Sequence, residues 1–283
     1  MIPSMTTYER GAEIDWRYQP IDFSKRLLVK VGPEGVDPTD LKREFESAGY
    51  SHLSLTIPRG VPLPNLEFLE QVQQIEQLDV TGPVRDDTYA FRRTDIRRLS
   101  LLTRCQRRIP EVSLSHLGEL ALDARPNLER VHDLAQLRRL SLFGWKSQDL
   151  TMLGHMPRLE NLCIEARKYV LLTLDGLERC PHLRDVRLDR VRVASLTPLR
   201  RLQLTRLWVL GGSRVSQEVL LDLADLAGMV ELADLRIING GAVKSTRPLL
   251  ELPNLSWLRL NGTRIVDGDT APLALLAGKG VRI

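Results

Sequence analysis

The sequence predicts an α/β solenoid: a curved parallel sheet of about twelve short strands with a helical and irregular convex side. Two observations lead there. A six-residue pattern, apolar-x-x-apolar-x-apolar, returns at intervals of 20 to 28 residues along almost the whole chain. A unit this short cannot bury its own apolar side, so successive units must stack into one continuous core. Second, no linker or low-complexity stretch interrupts the frame, so the 283 residues form one elongated array.

The elements follow in chain order. Residues 1–25 carry Trp16, Tyr18, Ile21 and Phe23 but no repeat frame. They are expected to form an amino-terminal cap over the open end of the core, with residues 26–283 as the solenoid. Arg26/Val29/Val31 marks the first strand. A helix is expected over 39–48, opened by Asp37-Pro38-Thr39, with Leu41, Phe45 and Ala48 on one face and Gly49 as its stop. The strand frame then reads Tyr50/Leu53/Leu55, Ile75/Leu78/Val80, Ile96/Leu99/Leu101, Leu117/Leu120/Leu122 and Leu137/Leu140/Leu142. It continues through Leu159/Leu162/Ile164, Leu183/Val186/Leu188, Leu204/Leu207/Val209, Leu232/Leu235/Ile237 and Leu255/Leu258/Leu260. A twelfth copy, Gly278/Val281/Ile283, closes the series. Between Ile96 and Leu204 the returns are too short and arginine-rich for long helices, so turns and 3₁₀ pieces are expected. The best convex helix is Ser216–Leu226, with Ser216 as N-cap and Val219, Leu220, Leu223 and Leu226 at helical spacing.

With its leucines aligned, the chain resembles the leucine-rich repeat family over roughly residues 26–283. The cleanest copy is LRDVRLDRVRVASLTPLRRLQ from Leu183. It is similar to the short bacterial and phosphatase-regulator type, while the 28-residue interval after Leu204 is similar to the longer, helical type. One departure is plain. The family's asparagine, three residues after the last strand leucine, is replaced by Pro83, Arg104, Arg125, Trp145, Arg167, Val191, Gly212, Gly240 and Thr263. Without that buried amide ladder, looser turns are expected after each strand.

Composition sets outer limits. The chain is 43% hydrophobic, enough for a continuous core, yet no apolar run approaches the 18 or so residues of a membrane span. The opening MIPSMTTYERGAEIDWRYQP has acids and no apolar centre, so no secretory leader is expected. Three scattered cysteines, Cys105, Cys163 and Cys180, point to a reducing cytoplasm. Of 40 basic residues 33 are arginine, a bias that a GC-rich coding sequence produces by itself, so the net charge of +4 says little about nucleic acid.

Catalytic and cofactor motifs are missing. The five histidines never pair at helical spacing or beside cysteines, so no metal site is expected. Gly240–Ser245 lacks the first glycine of a phosphate-binding loop and has Val243 before its lysine. Gly211-Gly212-Ser213-Arg214 reads as a turn into the following helix rather than an anion cradle. Cys163 stands at an outward strand position on the inner curve, where an exposed thiol could serve an enzyme, but it reads first as a small residue tolerated at an unused position. No enzyme and no cofactor are expected.

The other face of the sheet is more informative. Side chains alternate across a strand, so residues between the core leucines form columns on the opposite face. The middle column runs Ser54, Asp79, Ser100, Ala121, Ser141, Cys163, Arg187, Trp208, Arg236, Arg259. Its first six members are small or acidic, its last four cationic or aromatic. The preceding column ends Asp185, Arg206, Asp234, Trp257, so Arg206 can satisfy itself as cross-strand ion pairs. Arg236 and Arg259 are column neighbours with no acid between them, and Trp208 between Arg187 and Arg236 offers a cation–π arrangement. Arg187, Arg206, Trp208, Arg236, Trp257 and Arg259 are therefore the expected protein-binding residues, arginine and tryptophan being the types that dominate interface energetics.

These observations lead to a cytoplasmic protein-binding scaffold that takes a partner with an acidic surface, as a monomer or an edge-paired homodimer. By analogy of fold alone, a bacterial inhibitor or immunity-type protein is the narrower form. Nucleic-acid binding is the alternative, since arginine and tryptophan suit single strands, but Asp185, Asp189 and Asp234 interrupt the patch. An enzyme or enzyme subunit using Cys163 or an unrecognised site is the third reading. No membrane association is expected.

Overall fold

A computed structural model describes residues 25–61, 63–111, 116–153, 156–212 and 219–283. The amino-terminal cap, apart from Lys25, and the N-cap at Ser216 lie outside the described residues. Eleven parallel strands form one sheet in strict chain order: β1 (Arg26–Lys30), β2 (His52–Thr56), β3 (Gln77–Thr81), β4 (Arg98–Leu102), β5 (Glu119–Asp123), β6 (Arg139–Trp145), β7 (Asn161–Leu172), β8 (Asp185–Val193), β9 (Arg206–Leu210), β10 (Asp234–Ile238) and β11 (Trp257–Arg259). A single parallel bridge between Trp257 and Arg282 stands at the twelfth position. Each strand adds to the last, as stacking units must. The leucine pattern sets the register, since a slip of one residue would turn every core side chain out. From β2 to β10 the two core positions of the frame are all buried to 3% exposure or less. Among the described residues no helix is long and apolar enough to cross a membrane.

The frame fails by two residues at both ends. Leu27, not Val29, pairs with Leu53, and Arg282 pairs with Trp257 rather than Arg259. A slip of two preserves the face of every side chain, so the burial pattern could not reveal it. Val281 is buried as expected, but Ile283 is 58% exposed and Gly278 belongs to a helix.

Helix α1 (Pro38–Ser47) begins where its capping residues require. The Asp37 carboxylate accepts hydrogen bonds from the amides of Thr39 (2.8 Å) and Asp40 (3.2 Å), and Pro38 occupies the first turn, where its missing N–H costs nothing. Leu41 and Phe45 face the core, Ala48 is exposed, and Gly49 at φ +67° ends the helix. Helix α2 (Ala271–Gly278) covers the last repeat with Pro272 and Leu276.

Elsewhere the convex side is built from 3₁₀ turns. Leu174, Leu177, Cys180 and Leu183 lie three apart, and the amide of each later one donates to the carbonyl of the one before at 2.9–3.1 Å. That is the 3₁₀ bond, and residues at this spacing eclipse on one face. Leu196, Leu199 and Leu202 repeat the device. The same spacing corrects the predicted helix over Ser216–Leu226. Leu223, Leu226, Met229 and Leu232 are the buried series, three apart, and Leu223–Leu226 is a 3₁₀ turn. Leu220 and Leu221 instead form a short strand paired with Ala242–Val243, leaving Leu220 46% exposed.

The segments after the strands are irregular, as the missing asparagine implied. The register shifts between Phe143 and Trp145 and between Asp189 and Val191, and Arg104 and Arg167 are exposed, but three positions are filled. At the ladder position Trp145 is 2%, Arg125 6% and Val191 0% exposed, so large side chains fill the space. β6, β7 and β8 run on through it as longer strands. Arg125 grips Asp87 with two hydrogen bonds of 2.7 and 2.9 Å, and neither side chain has any exposure. The Thr103 hydroxyl also donates to Asp87, so one buried carboxylate ties together three successive repeats.

Candidate functional site

The pairing register places the predicted columns as the alternation requires. In the middle column Cys163, Arg187, Trp208, Arg236 and Arg259 are successive partners across β7 to β11. In the preceding one Asn161, Asp185, Arg206, Asp234, Trp257 and then Arg282 are partners. All six predicted residues thus fall into one cluster on β8 to β11.

Guanidinium groups surround both indole rings. The Cζ atoms of Arg236, Arg206 and Arg187 lie 3.9, 5.3 and 5.4 Å from the Trp208 ring centre. Those of Arg236, Arg259 and Arg282 lie 5.1, 5.3 and 5.5 Å from the Trp257 ring. Arg236 belongs to both sets and joins them into one ladder. Each such contact is worth about 0.5–1 kcal/mol at an exposed site and about 2 kcal/mol once desolvated.

The acids divide the arginines into two kinds. Arg236 is held by a two-pronged pair with Asp234, both bonds at 2.9 Å. Column order alone does not show this acid, because Asp234 is not a column neighbour of Arg236. Asp234 stands two residues earlier on the same strand face. Arg187 pairs with Asp189 at 2.8 Å. Arg206 lies between Asp185 at 3.6 Å and Asp234 at 3.8 Å, the cross-strand pairing its column neighbours implied. Arg259 and Arg282 are exposed, and among the described residues no carboxylate lies within ion-pair distance of either. Arg282 was missed because the slip of two placed it beside Arg259 in the frame instead of beside Trp257.

Burial has also shifted one carboxyl. Burial pushes Asp185 up to about 6, with Arg139 opposing and Asp234 reinforcing the rise. Next in the middle column, burial and the carboxylates of Asp189 and Glu165 push the Cys163 thiol up to about 12, against the weaker pull of Arg187 and Ser141. A thiol with that value is mostly protonated near neutral pH and a poor thiolate nucleophile there.

The first half of the same face is closed on itself. Ser54, Ala121 and Ser141 are buried under their neighbours, and His52 bonds Asp79 at 2.7 Å. Arg26 donates to the Ser54 hydroxyl at 2.9 Å and lies 3.7 Å from Asp79. The glycine-rich stretch before Ser245 holds a short strand, and Lys244 pairs with Asp222 at 2.8 Å instead of reaching into a loop. A groove of about 870 Å³ lies along the loops preceding the strands. Its walls mix Glu46, Glu76 and Asp95 with Arg97, Arg138 and Arg158, so it favours no single ligand charge.

No protein-family signature matches the chain, and no curated protein matches its sequence. Solved structures do match its fold. An internalin, InlF, of Listeria monocytogenes aligns with 80% of this chain and 72% of its own, at 16% identity and a TM-score of 0.55. A leucine-rich repeat protein of Leptospira interrogans aligns with 85% of this chain and 67% of its own, at 15% identity and a TM-score of 0.54.

Proposed function

We propose that this leucine-rich repeat solenoid is a non-enzymatic scaffold that binds a protein through the face of β8 to β11 turned away from the core, concave in this fold. The observation that carries the reading is the ladder itself: two tryptophans held among five arginines, with a surplus of positive charge at one end. Three aspartates, Asp185, Asp189 and Asp234, stand against those five cations. An acidic surface complements what remains.

The narrower form of the proposal is sequestration, as by an inhibitor or an immunity-type protein. Arg236 is fixed by two hydrogen bonds and two rings, so little side-chain freedom remains to be lost when a partner docks. Three unpaired cysteines, none of them fully exposed, suit a reducing compartment such as the cytoplasm. Nucleic acid is disfavoured by the same geometry. Base stacking needs an open ring face, and three guanidiniums already crowd each indole.

Affinity capture with the full chain tests the reading, comparing wild type with Trp208→Ala/Arg236→Ala and with Ser100→Arg on the opposite half of the face. A protein retained by wild type and Ser100→Arg but lost with the double variant is the expected result. Capture indifferent to the double variant refutes the site. Capture of nucleic acid with a steep salt dependence refutes the class of partner.

A further inference from the structure

We infer that Arg259 and Arg282, both beside Trp257, form an acid clasp that receives two carboxylates from one segment of the partner. This rests on the proposed protein-binding role and names which part of the face does the recognising.

The ladder holds five guanidiniums, but three are already matched. Arg187, Arg206 and Arg236 keep 32%, 26% and 22% of their side-chain surface and each faces an aspartate. Arg259 and Arg282 are exposed, lie near the Trp257 ring and have no ion-pair partner among the described residues. An indole ring offers no acceptor for N–H donors, so contact with it leaves a guanidinium's hydrogen-bonding capacity unspent. Both side chains are exposed, so that capacity is available to a partner. Both Cζ atoms lie within 5.5 Å of one ring centre, so they stand no more than about 11 Å apart.

That upper limit admits two carboxylates carried by one extended segment. Alternate residues of an extended segment share a face and lie roughly 7 Å apart. Two acidic side chains at such positions reach both forks, each as a two-pronged carboxylate pair. Asp234, bound to Arg236 beside the clasp, repels an anion that spreads along the ladder, as a phosphate chain would. Arg187 and Arg206 thus support Trp208, Arg236 supports both rings, and the unmatched pair reads the partner.

The test is a fluorescence-anisotropy titration of the full chain at low salt against an end-labelled peptide of alternating glutamate and serine. Wild type should bind it. Arg259→Ala and Arg282→Ala should each weaken binding about tenfold, and Arg259→Lys about threefold, since lysine keeps the charge without the fork. Arg201→Ala on the convex side removes the same charge and should leave binding unchanged. Circular dichroism melts within about 2 °C of wild type would show that the clasp variants fold.

If Arg187→Ala weakens binding as much as Arg259→Ala, the clasp is refuted while the acidic-partner reading stands. If wild type ignores the peptide, the acidic-partner reading falls and the clasp with it. If a labelled oligothymidine binds more tightly and depends on the same two arginines, the carboxylate assignment is overturned.

Discussion

Replacing Arg125 with methionine tests whether the buried pair with Asp87 holds neighbouring repeats together. The variant keeps most of the side-chain volume and deletes both hydrogen bonds, of 2.7 and 2.9 Å. The Asp87 carboxylate is then left fully buried with only the Thr103 hydroxyl as a side-chain donor. Removing one member of a buried pair costs about 3–5 kcal/mol, because the other charge is stranded without water. At about 3 °C per kcal/mol for a chain of this size, the melting temperature should fall by roughly 10 °C. Because repeats stabilise only their neighbours, the loss should be local. Amide exchange in β4 and β5 should accelerate well before exchange in β9 and β10. Asp87→Leu with Arg125→Met should recover most of the stability, since no charge is left to strand. A melting temperature within 2 °C of wild type for Arg125→Met alone, with exchange in β4 unchanged, would refute the argument.

Val186 is fully buried, so Val186→Asp should abolish cooperative unfolding at neutral pH, and a normal thermal melt would contradict the observed strand register. Trp208→Ala removes a ring that three guanidiniums contact and should cost about 2 kcal/mol in a urea titration; a loss below about 0.5 kcal/mol would show the ladder contributes nothing to the fold. Asp185 has a folded-state value of about 6 against 3.8 for an ordinary aspartate, so the folded chain holds its proton more tightly and this group's contribution to stability falls as pH rises between those values. Asp185→Asn should therefore melt higher than wild type above pH 7, with the gap closing below pH 4; a gap that widens on acidification would reverse the sign. With its thiol pushed up to about 12, Cys163 should resist alkylation in the folded chain at pH 8, and rapid labelling there would restore the nucleophile reading.

The periodic part of this fold could be read from one line of letters because a single physical fact, alternation across a strand, fixes both core and face. Leu183/Val186/Leu188 faced inward and Arg187 outward without any need for the three-dimensional arrangement. Where alternation carries no information, the reading went astray. A slip of two at Arg26 and again at Arg282 leaves every face intact, so only backbone pairing could expose it. The helix expected at Ser216–Leu226 failed for a related reason. Val219, Leu220, Leu223 and Leu226 satisfy a period of 3.6, but the buried residues continue to Met229 and Leu232 at a period of three. On the binding face, residue types gave the arginines and tryptophans, but not which arginines were already matched. That division depends on Asp189 and Asp234 reaching two residues along their own strands, which column order does not display.

The tie between Asp87, Thr103 and Arg125 also bears on how this array could change in length. Solenoids commonly gain and lose whole copies, because one unit stacks on any other. Here the carboxylate, hydroxyl and guanidinium come from three successive units and form one indivisible contact. Excising the copy that carries Thr103, or duplicating it, would move Asp87 and Arg125 out of reach and strand both charges in the interior. The stretch from Val84 to Arg125 should therefore behave as a fixed block of inheritance. Asp225, buried against Thr197 and Arg200 of the preceding repeat, sets a second such limit, so copy number can change freely only where leucine alone meets leucine.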